Sequence, residues 1–323
     1  MFIIIYTIMG LIKGLNSDIL MSYIHLELPD ISKSLTIFIG ISMLLLVLAI
    51  IAVRYIGYKK VVFIITALLI ISTIGIMNTH NIVLGTIYFI FIELSHKAFV
   101  VVIPLVLMAY TNKENRISVF AKAIFLNVAG ETIASFFDGK ILVLKFKSML
   151  GISYDQANDL TKHVSKMNHI QLADYVQSYK FVIWICIALS VLLLILLVFI
   201  KETKADYRNN ALGTDRLIPK DKSELKIFKT KYIIVWIIFI ALLEIDSNLV
   251  SPHLPVYLNR VLHISRGTTS TLIALKSFGM MVFVILSPKI ISKIGKIKHF
   301  SLFLMLSVPL MIILGLGNFL GQG

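Results

Sequence analysis

The chain has 323 residues, 58% of them hydrophobic, with a mean hydropathy of +0.91 and a formal net charge of +14. That apolar content is well above the roughly half expected of a soluble domain, which excludes an ordinary water-soluble globule. The apolar residues fall in runs of about 18 or more, the length a helix needs to cross the hydrocarbon layer, and period-two alternation is missing, which excludes a closed barrel. An all-α, polytopic membrane helical bundle is therefore expected.

In chain order, the hydropathy pattern predicts spans at 2–24, 35–53, 61–79, 82–109, 117–143, 180–200, 232–251, 270–290 and 299–317, nine in all. The first is read as a span and not as a cleaved leader. It has no basic start and no small-residue cleavage site, and it continues past Lys13 to Ile24. Between the second and third spans stands RYIGYKK (54–60), and between the eighth and ninth stands the similar SKIGKIK (292–298). The insertion from about Lys145 to Tyr179 contains SYDQ at 153–156. There Ser and Gln have capping-box spacing ahead of a short amphipathic stretch, Ala157, Leu160, Val164 and Met167. A small helical cap and a solvated loop are both compatible with it. The polar segment 201–231, rich in both charges and broken by Gly213 and Pro219, reads as a linker between a bundle at 1–200 and a second at 232–323.

The charge reports topology and not a nucleic-acid partner. With the amino terminus cytoplasmic, the inner segments hold Arg54, Lys59, Lys60, Lys113, Arg116, the cluster between Lys201 and Lys231, Lys289, Lys293, Lys296 and Lys298. These outnumber Lys33, Lys145, Lys147, Lys162, Lys166, Lys180, Arg260 and Arg266 outside. The single cysteine, Cys186, allows neither a disulfide nor a thiolate metal site. No phosphate-binding glycine loop, metal-ligand pair or nucleophile elbow is present, so neither an enzyme nor a cofactor is expected.

The two basic, glycine-centred knots fall at the same place in each half, after the second helix of a six-helix unit. In this the chain resembles the major facilitator superfamily, whose halves each carry an Asp-Arg-x-Gly-Arg/Lys-Arg/Lys loop there. Gly57, Lys59 and Lys60, and again Lys293, Gly295, Lys296 and Lys298, match that loop. KET at 201–203 is similar to the family's Glu-Thr closing the sixth helix. The family aspartate is replaced by Arg54 or Tyr55 in one copy and by Ser292 in the other. The resemblance implies cytoplasmic gating loops at these knots, and a cavity lined by helices 1, 4, 7 and 10. Twelve helices are implied, so a chain ending at GNFLGQG reads as truncated after the ninth.

Charges inside spans are the sharpest functional signal, because each costs about 2.5–3.5 kcal/mol at mid-bilayer. They fall in helix 1 (Lys13, Asp18), helix 4 (Glu93, Lys97), helix 5 (Glu131) and helix 7 (Glu244, Asp246). At 100° per residue, Gly10, Lys13, Gly14 and Ser17 form one stripe with Asn16 beside it, and Asp18 stands about 140° from Lys13. Glu93, His96 and Lys97 share a face, as do Glu244, Ser247 and Asn248. Lys13, Asn16, Glu93, His96, Lys97, Glu131, Glu244 and Asn248 are thus the candidate substrate and proton cavity. Glu93 with Lys97 also fits an internal helix pair. Lys122, Asp138, Lys140 and Lys276 are expected to snorkel from span ends.

The expected function is secondary transport of a small solute by alternating access, proton-coupled through Glu131 or Glu244, with export favoured over import. The protein is expected in the plasma membrane as a multi-pass monomer with its amino terminus cytoplasmic. The rival expectation is a non-transporting helical bundle, receptor-like, structural or a remnant.

Overall fold

The computed structural model describes residues 2–109, 116–200 and 253–295, together with Thr111, Glu202, Lys298 and Met305. Every regular element among them is helical. α1 (Phe2–Leu15) passes through a π-helical stretch (Asn16–Leu20) into α2 (Met21–Glu27). There follow α3 (Pro29–Ser32), α4 (Leu35–Ile56), α5 (Tyr58–Asn78), α6 (Ile82–Ala109), α7 (Arg116–Leu150), α8 (Tyr154–Leu160) and α9 (His169–Val198). Later in the chain come α10 (Leu254–Val256), a second π-helical stretch (Tyr257–Val261) and α11 (Arg266–Ile294). The predicted spans at 232–251 and 299–317, and nearly all of the linker, lie outside the described residues.

Among the described residues, five helical stretches are long and apolar enough to cross a membrane: Ile4–Glu27, Tyr58–Asn78, Ile82–Val102, Val119–Leu150 and His169–Val198. Ile37–Val53 is a shorter apolar helix. Large apolar side chains stand exposed on their outer faces, among them Leu44, Ile71, Trp184 and Leu275. Water would penalise such faces, whereas hydrocarbon suits them.

Local chemistry places the breaks. Leu28 leaves helical geometry (φ −130°) because the ring of Pro29 crowds it, and the proline then starts α3. Both knots turn on a glycine in the left-handed region, Gly57 at φ 91° and Gly295 at φ 82°, where an L side chain would be strained. The insertion is shorter than expected. α7 runs on to Leu150, and α9 begins at His169, not at 180, because Asn168 and Gln171 form a capping box there. The Ser153–Gln156 box opens α8 as its spacing predicts.

The first knot is held by a reciprocal cap. The Glu202 carboxylate accepts from the Tyr58 N–H at 2.7 Å and the Lys59 N–H at 3.2 Å, satisfying the free N–H groups that begin α5. In return the Lys59 ammonium donates to the carbonyls of Val198 and Ile200 at 2.7 and 2.6 Å, at the end of α9. Glu202→Ala is expected to cost about 1–2 kcal/mol, and Glu202→Gln less, because the amide still accepts. Thermal melting of the purified protein checks this, and an alanine variant as stable as the parent would refute the cap. In the second knot Lys293 is exposed, and Lys296 lies outside the described residues.

α1 packs against α7 and α9, α5 against α6 and α9, α4 against α6, and α11 against α7. The α1–α7 seam is close enough that a Cβ on Gly14 would lie 2.6 Å from the Glu131 carbonyl oxygen. α3 and α8 lie at one end of this bundle, called the cap end below, and the Gly57 knot lies at the other.

Candidate functional site

Within the bundle, α1, α2, α4, α6, α7, α10 and α11 line an open cavity of about 530 Å³, within the range of small-molecule sites. Its polar wall is built from helices that sequence brings nowhere near each other. Lys13 on α1 reaches Glu131 on α7, ammonium to carboxylate at 2.8 Å, across the glycine seam that lets the two backbones approach. Glu131 is 9% exposed. The cation that its own helix does not supply therefore comes from α1.

The π-helical stretch begins at Asn16, whose amide NH₂ donates to His96 Nε2 on α6 at 2.9 Å. The other end of that amide accepts from the Cys186 thiol of α9 at 3.3 Å, which fixes the amide's orientation and accounts for the lone buried cysteine. Glu93 faces both Lys97 and Lys13, and Lys276 of α11 faces Glu131 and Lys13. Among the described residues, Lys13, Lys97 and Lys276 thus share one space with Glu93 and Glu131. The opposite wall is apolar, from Ile39, Met43 and Leu46 of α4 to Ile273 and Met280 of α11.

Of the expected cavity residues, Lys13, Asn16, Glu93, His96, Lys97 and Glu131 all line this one space. Glu244 and Asn248 lie outside the described residues. Lys276, expected to snorkel, points inward. The correction is geometric: on α11 it lies ten residues past Arg266, about 15 Å down the helix and so near mid-span.

Two further corrections concern one place. Arg266, expected in an outside loop, is the first residue of α11 and is 0% exposed, its guanidinium donating to Asp18 Oδ1. Asp138, expected to snorkel, is also 0% exposed. α7 continues twelve residues beyond it to Leu150, so it sits well inside the bundle and not at a span end. The one sequence signal for this second cluster was the angular offset of Asp18 from Lys13, which put it on a different face.

No His, Cys, Asp and Glu grouping among the described residues could hold a metal ion. The family model described as Major Facilitator Superfamily matches residues 1–322 of the chain. No curated protein and no solved structure matches it.

Proposed function

From the premise that the chain belongs to the Major Facilitator Superfamily, a family of multi-pass membrane transporters of small molecules, we propose that it moves a small carboxylate-bearing solute through the Lys13–Glu131 cavity by alternating access. The observation that carries this reading is that Lys13, Lys97 and Lys276 converge with Glu93 and Glu131 on one half-apolar space, Lys13 bonded to Glu131. A carboxylate entering there gains charge-assisted hydrogen bonds in a low-dielectric wall. Glu93 leaves room for an amino group, so zwitterions and short peptides fit as well as organic anions.

The bundle 1–200 and the unit 232–323 are the two bodies that rock, joined by the linker 201–231. Coupling is to protons. A proton taken up by Glu131 releases Lys13 to the solute, and one taken up by Glu131 or by Glu244 biases one access state over the other. The protein works as a monomer in the plasma membrane. Its knot end, with Gly57, Lys59 and Lys60, faces the cytoplasm together with the amino terminus, and its cap end faces outward. The direction of travel in this reading is export.

Proteoliposomes with a trapped pH dye test it. Amino acids, dipeptides and dicarboxylates are presented in turn, and at least one is expected to drive proton movement. Glu131→Gln should abolish gradient-driven accumulation while leaving solute exchange down its own gradient. Unchanged gradient-driven flux in both Glu131→Gln and Glu244→Gln would defeat the coupling assignment.

A further inference from the structure

The transport reading employs the charged groups of the cavity and leaves its imidazole idle. His96 stands on α6, half-buried, and lines the space. Its Nε2 is 2.9 Å from the Asn16 amide nitrogen. Its Nδ1 has no hydrogen-bond partner among the described residues and is not sealed from solvent, so it opens onto the cavity.

Which ring nitrogen carries the hydrogen follows from a contact on the far side of Asn16. Asn16 opens the π-helical stretch and is 3% exposed, so both ends of its amide need partners inside the protein. The Cys186 thiol of α9 lies 3.3 Å from Asn16 Oδ1 and 3.9 Å from the Ile12 carbonyl oxygen. A thiol has one hydrogen to give, and the amide oxygen is the nearer acceptor for it. With Oδ1 engaged there, the amide nitrogen faces His96, and a ring nitrogen accepts an N–H only when it has no hydrogen of its own. Nε2 is therefore bare. The hydrogen sits on Nδ1 and points a donor into the space.

Resting on the carboxylate reading of this cavity, we infer that His96 is a fixed, neutral donor that selects the solute. It favours acids that carry an uncharged acceptor oxygen beside the carboxylate, as 2-oxo and 2-hydroxy acids do. Lys13 faces His96 as well as Glu93, so an ammonium and an Nδ1–H are offered to the same solute. The carboxylate meets the first and the neighbouring oxygen the second. A plain acid of equal length satisfies the cation and leaves the Nδ1–H against it unpaired. A site built around such a donor rejects the analogue lacking the oxygen far more strongly than an apolar pocket rejects a missing methylene. Cys186 does not line the cavity; it acts through Asn16, as a positioning residue.

The purified protein in nanodiscs tests this in two parts. Solid-state nitrogen-15 spectra of histidine-labelled protein, with the His96→Phe spectrum subtracted, report where the hydrogen lies. His96 should show an Nδ1–H and a bare Nε2 in the parent and in Cys186→Ser, which keeps a donor for the amide. Cys186→Ala frees the amide to turn over and should add the opposite tautomer. Titration calorimetry then compares matched pairs that differ by one oxygen, 2-oxoglutarate with glutarate and phenylpyruvate with 3-phenylpropionate. In the parent and in Cys186→Ser the oxo acid should bind about tenfold or more tightly than its plain partner, and in His96→Phe the two should bind about equally. An Nε2–H in the parent, or pairs that the parent binds equally, overturns the inference while the carboxylate reading stands. A parent that binds no acid of either kind overturns the two together.

Discussion

Arg266→Met is expected to destabilise the folded protein by about 3–5 kcal/mol. The methionine fills much of the same space, so the penalty does not come from a cavity. It comes from Asp18 and Asp138, both 0% exposed, left without a cation. Arg266 also has Nε and Nη1 without partners, so its own removal sacrifices little beyond the bond to Asp18. A combined variant makes the distinction. Arg266→Met with Asp18→Asn and Asp138→Asn should recover most of the loss, because no charge remains to be compensated. Urea or thermal unfolding of the purified protein measures both. If the triple variant is no more stable than Arg266→Met, the damage lies in packing and not in charge.

The second large effect is expected at the α1–α7 seam. Gly14→Val should cost about 1–3 kcal/mol by overpacking. Its Cβ would stand 2.6 Å from the Glu131 carbonyl oxygen and 2.7 Å from the Ala134 Cβ, and the first of these is backbone that cannot rotate aside. Gly40→Val on α4 is the matched control, since nothing lies within 4 Å of the Cβ it adds. Both changes put a β-branched residue for glycine in an apolar helix, so the difference between their melting temperatures isolates the seam. Transport should fall with stability in Gly14→Val, because pushing α1 off α7 lengthens the 2.8 Å Lys13–Glu131 contact. Equal melting temperatures for the two variants would show that the helices do not meet as closely as Gly14 implies.

What could be read from the residues follows from which interactions are local. Spans were legible because hydrocarbon imposes a length and a composition on every helix that crosses it, and the positive-φ turns at Gly57 and Gly295 were legible from glycine between cations. The start of α9 was not. Hydropathy points to 180, but the helix begins where the Asn168–Gln171 capping box satisfies its free N–H groups, eleven residues earlier and in polar sequence. Lys13, Glu93, Lys97 and Glu131 stood out as candidates because a charge inside an apolar run is conspicuous whatever it pairs with, and Asn16 and His96 because they lie on or beside the same helix faces. Their pairings stayed hidden: Lys13 and Glu131 are 118 positions apart, and Asp18 and Arg266 are 248 apart. Arg266 sits where a span boundary and a loop look alike, so only tertiary packing distinguishes a solvated arginine from a buried one.

The π-helical stretch Asn16–Leu20 sets the phase of everything after it. Before it, α1 turns Lys13 toward the cavity; within it, Asp18 is turned toward Arg266. Deleting one residue there would wind the stretch back to ordinary pitch and rotate Met21–Glu27 by about 100° as a block. Substitutions would leave that rotation alone. A change of letter between positions 16 and 20 should therefore cost only that side chain's own contacts, whereas a change of count should displace the whole block, a contrast that a scan of single-codon deletions against point variants would expose directly.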